Sequence, residues 1–546
     1  MSSFVSRPAG GMHRRSFLQL AAALTVLSVI VLLTSACTPA PAPLSDGGNA
    51  TPRATSPTPS IQVAQPMGIA KYVFLFIGDG MAPAQRTSAE LYLAATASPG
   101  SRPETTKLNM NQLPIQGMNT TYDLTSVIPD SASTGTAIAT GYKTKSGVVS
   151  MDGAGTVRYE TITEVAKARG MKVGIVSAVS IDHATPAVFY AHVPSRSNMY
   201  DIAIQLGKSN FDYFGGGGLV KPKGDKGDQP DAVEAARANG YTVVTTRADF
   251  DKLAPGSGKV LAMNATLDPD KALPYELDRA QDDLSIVDYT KKGIELLKNP
   301  NGFFMMVEGG KIDWAAHAND AAASIRDTLA LDTAVGEALK FYAEHPRETL
   351  IIVTGDHETG GMTIGFAGTQ YDAFFDKIQY QKASFLGFNK QLDQYKKDHT
   401  SENARFEDVV PMIRENFGLS VLPDDERAKL EAKAKKDKDP VAQKQLGMTL
   451  TDFEVRQLRD AFAETMKDVK VRAKDDYTYL LYGGYEPLTV KLTTLLNQKA
   501  GIGWTSYSHT GVPVQTSAIG VGAELFGGFY DQPEIYKKMV SATGLR

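Results

Sequence analysis

The chain has 546 residues, of which 42% are hydrophobic, and a formal net charge of −4. That length and apolar content allow a large buried core in one or several domains, and the near-balanced charge gives no reason to expect nucleic acid as a partner. One cysteine, Cys37, excludes an intramolecular disulfide, so packing and bound ions must hold the fold.

At the amino terminus, Arg14 and Arg15 precede an apolar run from Ala21 to Leu33 and then Thr34-Ser35-Ala36-Cys37. A basic start, an apolar stretch and small residues before a break describe an export signal over residues 1–36. The RRSFL run resembles a twin-arginine signal. Leu33 to Cys37 resembles a bacterial lipobox, although Thr34 stands where an aliphatic residue is usual. The competing reading is an uncleaved anchor, since Phe17 to Ala36 is long enough to cross a bilayer. The only cysteine falling at this junction favours a lipoprotein, exported to the cell surface or periplasm and tethered through Cys37. Residues 37–68 are rich in Pro, Ser and Thr and poor in large apolar residues, so they read as a tether.

Apolar runs of strand length follow at Lys71–Ile77, Lys172–Ser177, Phe303–Val307 and Leu350–Thr354, with helical patterns at Glu160–Arg169 and Ala321–Ala343. Strands alternating with helices predict an α/β fold, a large mostly parallel central sheet with helices on both faces. Phe214-Gly215-Gly216-Gly217-Gly218 and the following KPKGDKGD read as a flexible surface loop. They lack the Gly-Lys-Ser/Thr ending of a phosphate-binding P-loop. Residues 366–503 carry charged helical patterns, including capping-box spacing at Thr451 and Glu454 before VRQLRDAFAETM. This predicts a mainly helical insertion in a catalytic domain made of 69–365 and 504–546.

The chemistry-bearing residues sit after apolar runs. FLFIGDGM ends on Asp79, FFMMVEGGKIDWAAH carries Glu308, Asp313 and His317, LIIVTGDHETGG carries Asp356 and His357, and YSHTG carries His509. IPDSASTGTA places Ser131 behind Asp130 at a helix start. Each motif alone is weak, because an aspartate after a strand is more often a helix cap than a ligand. Asp313 and His317, four apart, share one helix face, while Asp356 and His357 need an irregular loop to reach one point. Ligands of open α/β sheets bind beyond the strand ends, and mixed carboxylate–imidazole sets suit zinc. Four converging sets plus a serine point to a metal-dependent hydrolase with a serine nucleophile.

In order and local spacing, these motifs resemble the alkaline phosphatase family from about Lys71 to just past His509. The resemblance implies an alkaline-phosphatase-like fold and hydrolysis of small phosphate monoesters. It implies Ser131 as the phosphorylated nucleophile and Arg196, in AHVPSR, as the phosphate grip. Asp313, His317 and His509 would bind one zinc ion, and Asp79, Asp356 and His357 a second. Asp79, Thr185 and Glu308 would hold a third ion, usually magnesium. Two metals can clamp the attacking and leaving oxygens of an in-line displacement. An arginine fork suits phosphate, and a helix start adds backbone N–H groups.

Ser133 and Thr134 compete chemically as nucleophiles, but the resemblance and the Asp130 neighbour favour Ser131. His192, one turn before Arg196, reads as a structural hydrogen-bonding residue. At His183 and Trp314 some relatives carry Asp and Lys, which leaves the third metal's identity open. A sulfatase is disfavoured because Ser131 is followed by Ala132, Ser133, Thr134 and Gly135 rather than a Ser-x-Pro-x-Arg run. A phosphodiesterase side activity stays open, as does the choice between monomer and homodimer. A surface lipoprotein that only binds phosphate or zinc would have no need of Ser131.

Overall fold

The computed structural model describes residues 68–97 and 105–546. The export signal, nearly all of the tether and Cys37 lie outside them. Ten strands make the main sheet: β1 (Tyr72–Gly78), β2 (Ile115–Thr120), β3 (Lys172–Ser177), β4 (Tyr213–Gly216), β5 (Tyr241–Val244), β6 (Lys259–Met263), β7 (Phe303–Glu308), β8 (Thr349–Gly355), and the strands Val514–Gly520 and Gly528–Asp531. Their spatial order is Gly528–Asp531, β2, Val514–Gly520, β8, β1, β7, β3, β4, β6, β5. From β8 to β5 every neighbouring pair is parallel. Val514–Gly520 runs antiparallel to both β8 and β2.

β1 shows why an uninterrupted apolar run belongs at the centre of such a sheet. All seven of its residues are buried. Tyr72, Phe74 and Phe76 enter the core on one face, and Val73, Leu75 and Ile77 enter the other. Each fully buried side chain of this size contributes about 1.5–3 kcal/mol. The strand period of two therefore serves two cores at once.

The register sets out the site. Ile77 pairs with Glu308, and Gly78 pairs with Gly355. The carboxyl ends of β1, β7 and β8 thus deliver Asp79, Glu308 and Asp356 side by side.

The glycine run is a correction. Phe214 to Gly218 is buried, with Phe214, Gly215 and Gly216 inside β4. A Cβ on Gly216 would stand 1.8 Å from the Ser177 carbonyl oxygen, and one on Gly217 2.3 Å from that of Val179. These glycines let the chain press against the end of β3; only the following KPKGDKGD stretch is largely exposed.

Seven α-helices between Phe385 and Ala500 occupy the predicted insertion. The capping box at Thr451 and Glu454 is formed. Phe388, Phe417, Leu458 and Leu492 join the same buried cluster as Phe74, so these helices pack onto the sheet's own core. Among the described residues no helix is long and apolar enough to cross a membrane.

Candidate metal and nucleophile site

Asp79 leaves β1 into a turn at Gly80, whose φ of 70° favours glycine. A Cβ there would also meet Thr359 Oγ1 at 2.8 Å and Asp313 Cα at 2.9 Å. The Gly80 amide donates to Asp356 Oδ1 at 3.1 Å, which ties the ends of β1 and β8 together.

Three groups of side chains offer ligand atoms within 4.8 Å of one another. The first is Asp313, His317 and His509. The helix Lys311–His317 carries Asp313 and His317, whose Oδ2 and Nε2 lie 3.5 Å apart. His509 Nε2 is 3.6 Å from Asp313 Oδ1 and 3.1 Å from His317 Nε2. The outer nitrogens are fixed by backbone carbonyls, His317 Nδ1 by Tyr507 O and His509 Nδ1 by Pro129 O, each at 2.7 Å. Both Nε2 atoms therefore face inward, toward Asp313.

The second group is Asp79, Asp356 and His357. His357 Nε2 lies 3.3 Å from Asp79 Oδ1, 3.4 Å from Asp356 Oδ2 and 3.1 Å from Ser131 Oγ. The third is Asp79, Glu308 and His183. Thr185 Oγ1 donates to Asp79 Oδ2 at 3.2 Å, which stands Thr185 beside this group. Ser177 donates to Glu308 Oε2. Asp79 Oδ1, Glu308 Oε1 and His183 Nδ1 are all buried without a hydrogen-bond partner. The two carboxylate oxygens are orphaned acceptors of the kind a cation's ligands present, because buried polar atoms are otherwise paired; His183 Nε2 accepts from Arg196, which leaves the proton of the neutral ring on Nδ1.

The electrostatics agree. Burial, followed by the charges of Asp356, Asp313 and Glu308, pushes the Asp79 carboxyl well above its ordinary value. Burial raises Glu308 to about 8, and burial with Asp313 raises Asp356 to about 7. Burial acts upward on Asp313 too, but His317, His509 and His357 outweigh it and hold it low. Burial and then His509 keep His357 neutral, far below its ordinary value. Burial and then Arg196 lower His183 to about 3. The carboxyls of Asp79, Glu308 and Asp356, which resist ionisation beside the neutral imidazoles of His357 and His183, form a site short of positive charge. Divalent ions would supply it.

Ser131 is the first residue of the helix Ser131–Thr140, all of which is buried. Asp130 caps that helix, its side chain accepting from the Ser133 amide in a full capping box. Asp130 also accepts from Arg196 Nη1 at 2.9 Å, while Arg196 Nη2 lies 3.1 Å from His183 Nε2. Burial pushes the Asp130 carboxyl up, yet Arg196 and the Ser133 amide hold it below its ordinary value. One carboxylate thus fixes the start of the Ser131 helix and the arginine fork. Each terminal nitrogen of Arg196 keeps a second N–H for a ligand.

All ten predicted residues, Asp79, Ser131, Thr185, Arg196, Glu308, Asp313, His317, Asp356, His357 and His509, stand within these linked contacts. His192 bonds Ser150 O and Glu164 Oε1, the structural role expected of it. Two contributions were not foreseen. His183, expected only to stand near the third ion, brings its imidazole into the group. Thr359 donates to Asp313 Oδ1 at 2.5 Å and stands 3.3 Å from His357 Nδ1, bridging two groups. Its place three residues after Asp356 on the ligand loop was the available signal.

Comparison with known proteins places this geometry. The family model described as Alkaline phosphatase matches residues 70–545. Alkaline phosphatase 3 of Bacillus subtilis (strain 168) is 30% identical over 481 residues, covering 86% of this chain and 88% of its own. The crystal structure of the cold-active alkaline phosphatase from the psychrophile Shewanella sp. matches with a TM-score of 0.65 at 29% identity, over 86% of this chain and 99% of that one. That of Thermus thermophilus alkaline phosphatase matches with a TM-score of 0.63 at 25% identity, over 88% and 92%.

Proposed function

The chain belongs to the alkaline phosphatase family and is a metal-dependent phosphatase, and from that premise we propose that it hydrolyses phosphate monoesters through a phosphoserine on Ser131. The observation that carries this reading is Ser131 Oγ at a buried helix start, 3.1 Å from His357 Nε2 and beside the Arg196 fork.

The residues fit two zinc ions, on Asp313–His317–His509 and Asp79–Asp356–His357, and a magnesium ion on Asp79–Thr185–Glu308. Bound there, such ions supply Lewis-acid charge for the serine and leaving-group oxygens. Arg196, held by Asp130 and His183, orients the phosphoryl group with its free N–H donors. Ser131 Oγ then bonds to phosphorus as the bond to the leaving alcohol breaks, and its proton ends on that alcohol. Water cleaves the phosphoserine, releasing inorganic phosphate and restoring the hydroxyl. The helix start donates N–H groups toward the phosphoryl oxygens. Neutral His357 beside Ser131 adds no charge to repel an ion at its Nε2.

Ser131→Ala should lower monoester turnover more than roughly a thousandfold with metals still bound. Acid-quenched wild-type protein given labelled phosphate should carry label on Ser131, and label on Ser133 or Thr134 refutes the assignment. Chelation should abolish activity, with zinc restoring it and magnesium adding to zinc without replacing it. An aryl phosphate assayed beside its diester and its sulfate separates the related activities. Export and tethering through Cys37 form part of the same proposal, resting on residues 14–37.

A further inference from the structure

The run Asp356-His357-Glu358-Thr359-Gly360-Gly361 carries a third acidic or imidazole side chain, Glu358, which belongs to none of the three metal groups. Glu358 is 2% exposed. Its Oε1 accepts from Gln85 Nε2 at 2.8 Å and from the Met362 amide at 3.0 Å. Its Oε2 accepts from the Gly361 amide at 3.0 Å and from Thr510 Oγ1 at 2.5 Å. Two donors on each oxygen fill the carboxylate, so nothing is left to offer an ion. The turn at Gly360 and Gly361, with φ of 86° and 61°, brings the two amides back onto the side chain.

Three segments that carry site residues meet on this one carboxylate. Gln85, itself buried, accepts from the Ala82 amide at 3.0 Å, three residues after Asp79. Its Nε2 also reaches Thr359 O at 3.2 Å. Thr510 directly follows His509. The strand Glu358–Thr359 pairs antiparallel with His509–Thr510, Thr510 opposite Glu358 and His509 opposite Thr359. A ladder of two residues is weak by itself, so a side-chain bond across it carries weight. Beside it the rings of His357 and His509 stack, their centroids 3.7 Å apart and their planes 21° apart. One ring belongs to the second metal group and the other to the first. The spacing of these two segments is therefore the spacing of the two groups.

We propose that Glu358 is a positioning residue that holds the two zinc groups in register, acting through Thr510 on His509 and through Gln85 on the segment after Asp79. The inference rests on the zinc reading above. Glu358, saturated with donors, acts on the ions only through these neighbours.

The test is the zinc affinity of the full chain, read by competition against a chelating dye, with thermal unfolding verifying the fold of each variant. Thr510→Val removes one donor to Glu358 and should weaken zinc binding about tenfold to a hundredfold, the size of a lost contact that orients a ligand. Thr510→Ser keeps the hydroxyl and should stay near wild type. Glu358→Ala removes the acceptor and should lose at least as much as Thr510→Val. Adding Thr510→Val to Glu358→Ala should cost nothing further, because the bond is already gone. Wild-type zinc affinity in folded Thr510→Val, an equal loss in Thr510→Ser, or losses that add in the double variant would overturn the proposal. If Glu358→Ala fails to fold, the contrast between Thr510→Val and Thr510→Ser decides alone. Failure of the underlying reading is distinct: the wild type itself would then bind no zinc.

Discussion

Thr359→Val tests whether one hydroxyl braces two metal groups. Thr359 is fully buried; its Oγ1 donates to Asp313 Oδ1 at 2.5 Å and stands 3.3 Å from His357 Nδ1. Valine keeps the shape and removes the donor. Losing a hydrogen bond to a buried carboxylate costs about 1.5–3 kcal/mol, and at 1.4 kcal/mol per decade that spans about tenfold to a hundredfold. Contacts that orient metal ligands have effects of the same size, about 10–100-fold in metal affinity. Zinc affinity should therefore fall by that factor, and activity lost at limiting zinc should return at high zinc. Competition against a chelating dye reads the affinity, and thermal unfolding of the metal-loaded protein verifies the fold. Thr359→Ser retains the hydroxyl and should stay close to wild type. Wild-type zinc affinity in folded Thr359→Val, or an equal loss in Thr359→Ser, would refute the bridging role.

A stability prediction concerns Asp320, which caps the helix Ala321–Glu344 and accepts from Ala323 N, Phe385 N and Gln381 Nε2. Burial raises its carboxyl to about 6 from 3.8. The protonated form is favoured in the fold, so its stabilising contribution is complete below pH 4 and is lost as pH rises through 6, about 3 kcal/mol in all. Relative to Asp320→Asn, wild-type stability in denaturant titrations should fall by about that amount between pH 4 and 7; parallel profiles would exclude the effect. At the third group, His183 brings an imidazole rather than a carboxylate, which suits zinc or cobalt better than magnesium, and Trp314 brings no cation toward phosphate. His183→Asp combined with Trp314→Lys should tighten both magnesium and inorganic phosphate binding in calorimetry, and unchanged values for both would remove these positions from the tuning of the site. For the terminus, Cys37→Ser should release the protein from membranes, and mass spectrometry should find acyl chains on wild-type Cys37; an unmodified Cys37 on a chain still starting near Met1 favours an anchor.

The sheet was legible because buried parallel strands announce themselves as unbroken apolar runs. Lys172–Ser177 matched residue for residue, and the other three predicted strands differ by one residue at each end or less. The glycine run was misread because glycine signals freedom in isolation, whereas here it answers the Ser177 and Val179 carbonyls, which no local pattern reveals. The carboxylates and imidazoles that the fold gathers into these groups were equally legible, since such residues at strand ends are rare enough to stand out. The contacts that aim them were not. Tyr507 and Pro129 act through backbone carbonyls, which every residue possesses.

That hidden layer joins the chemistry into one unit. Pro129 O receives His509 Nδ1, and the next residue, Asp130, caps the Ser131 helix and holds Arg196. A shift of the Pro129–Asp130 peptide would therefore disturb His509, Ser131 and Arg196 together. His357 Nε2 closes the circuit, because it faces Ser131 Oγ and both carboxylates of the second group. His509, Arg196 and His357 are thus coupled through the three adjacent residues Pro129, Asp130 and Ser131, so truncations at several of these positions should show non-additive losses in activity.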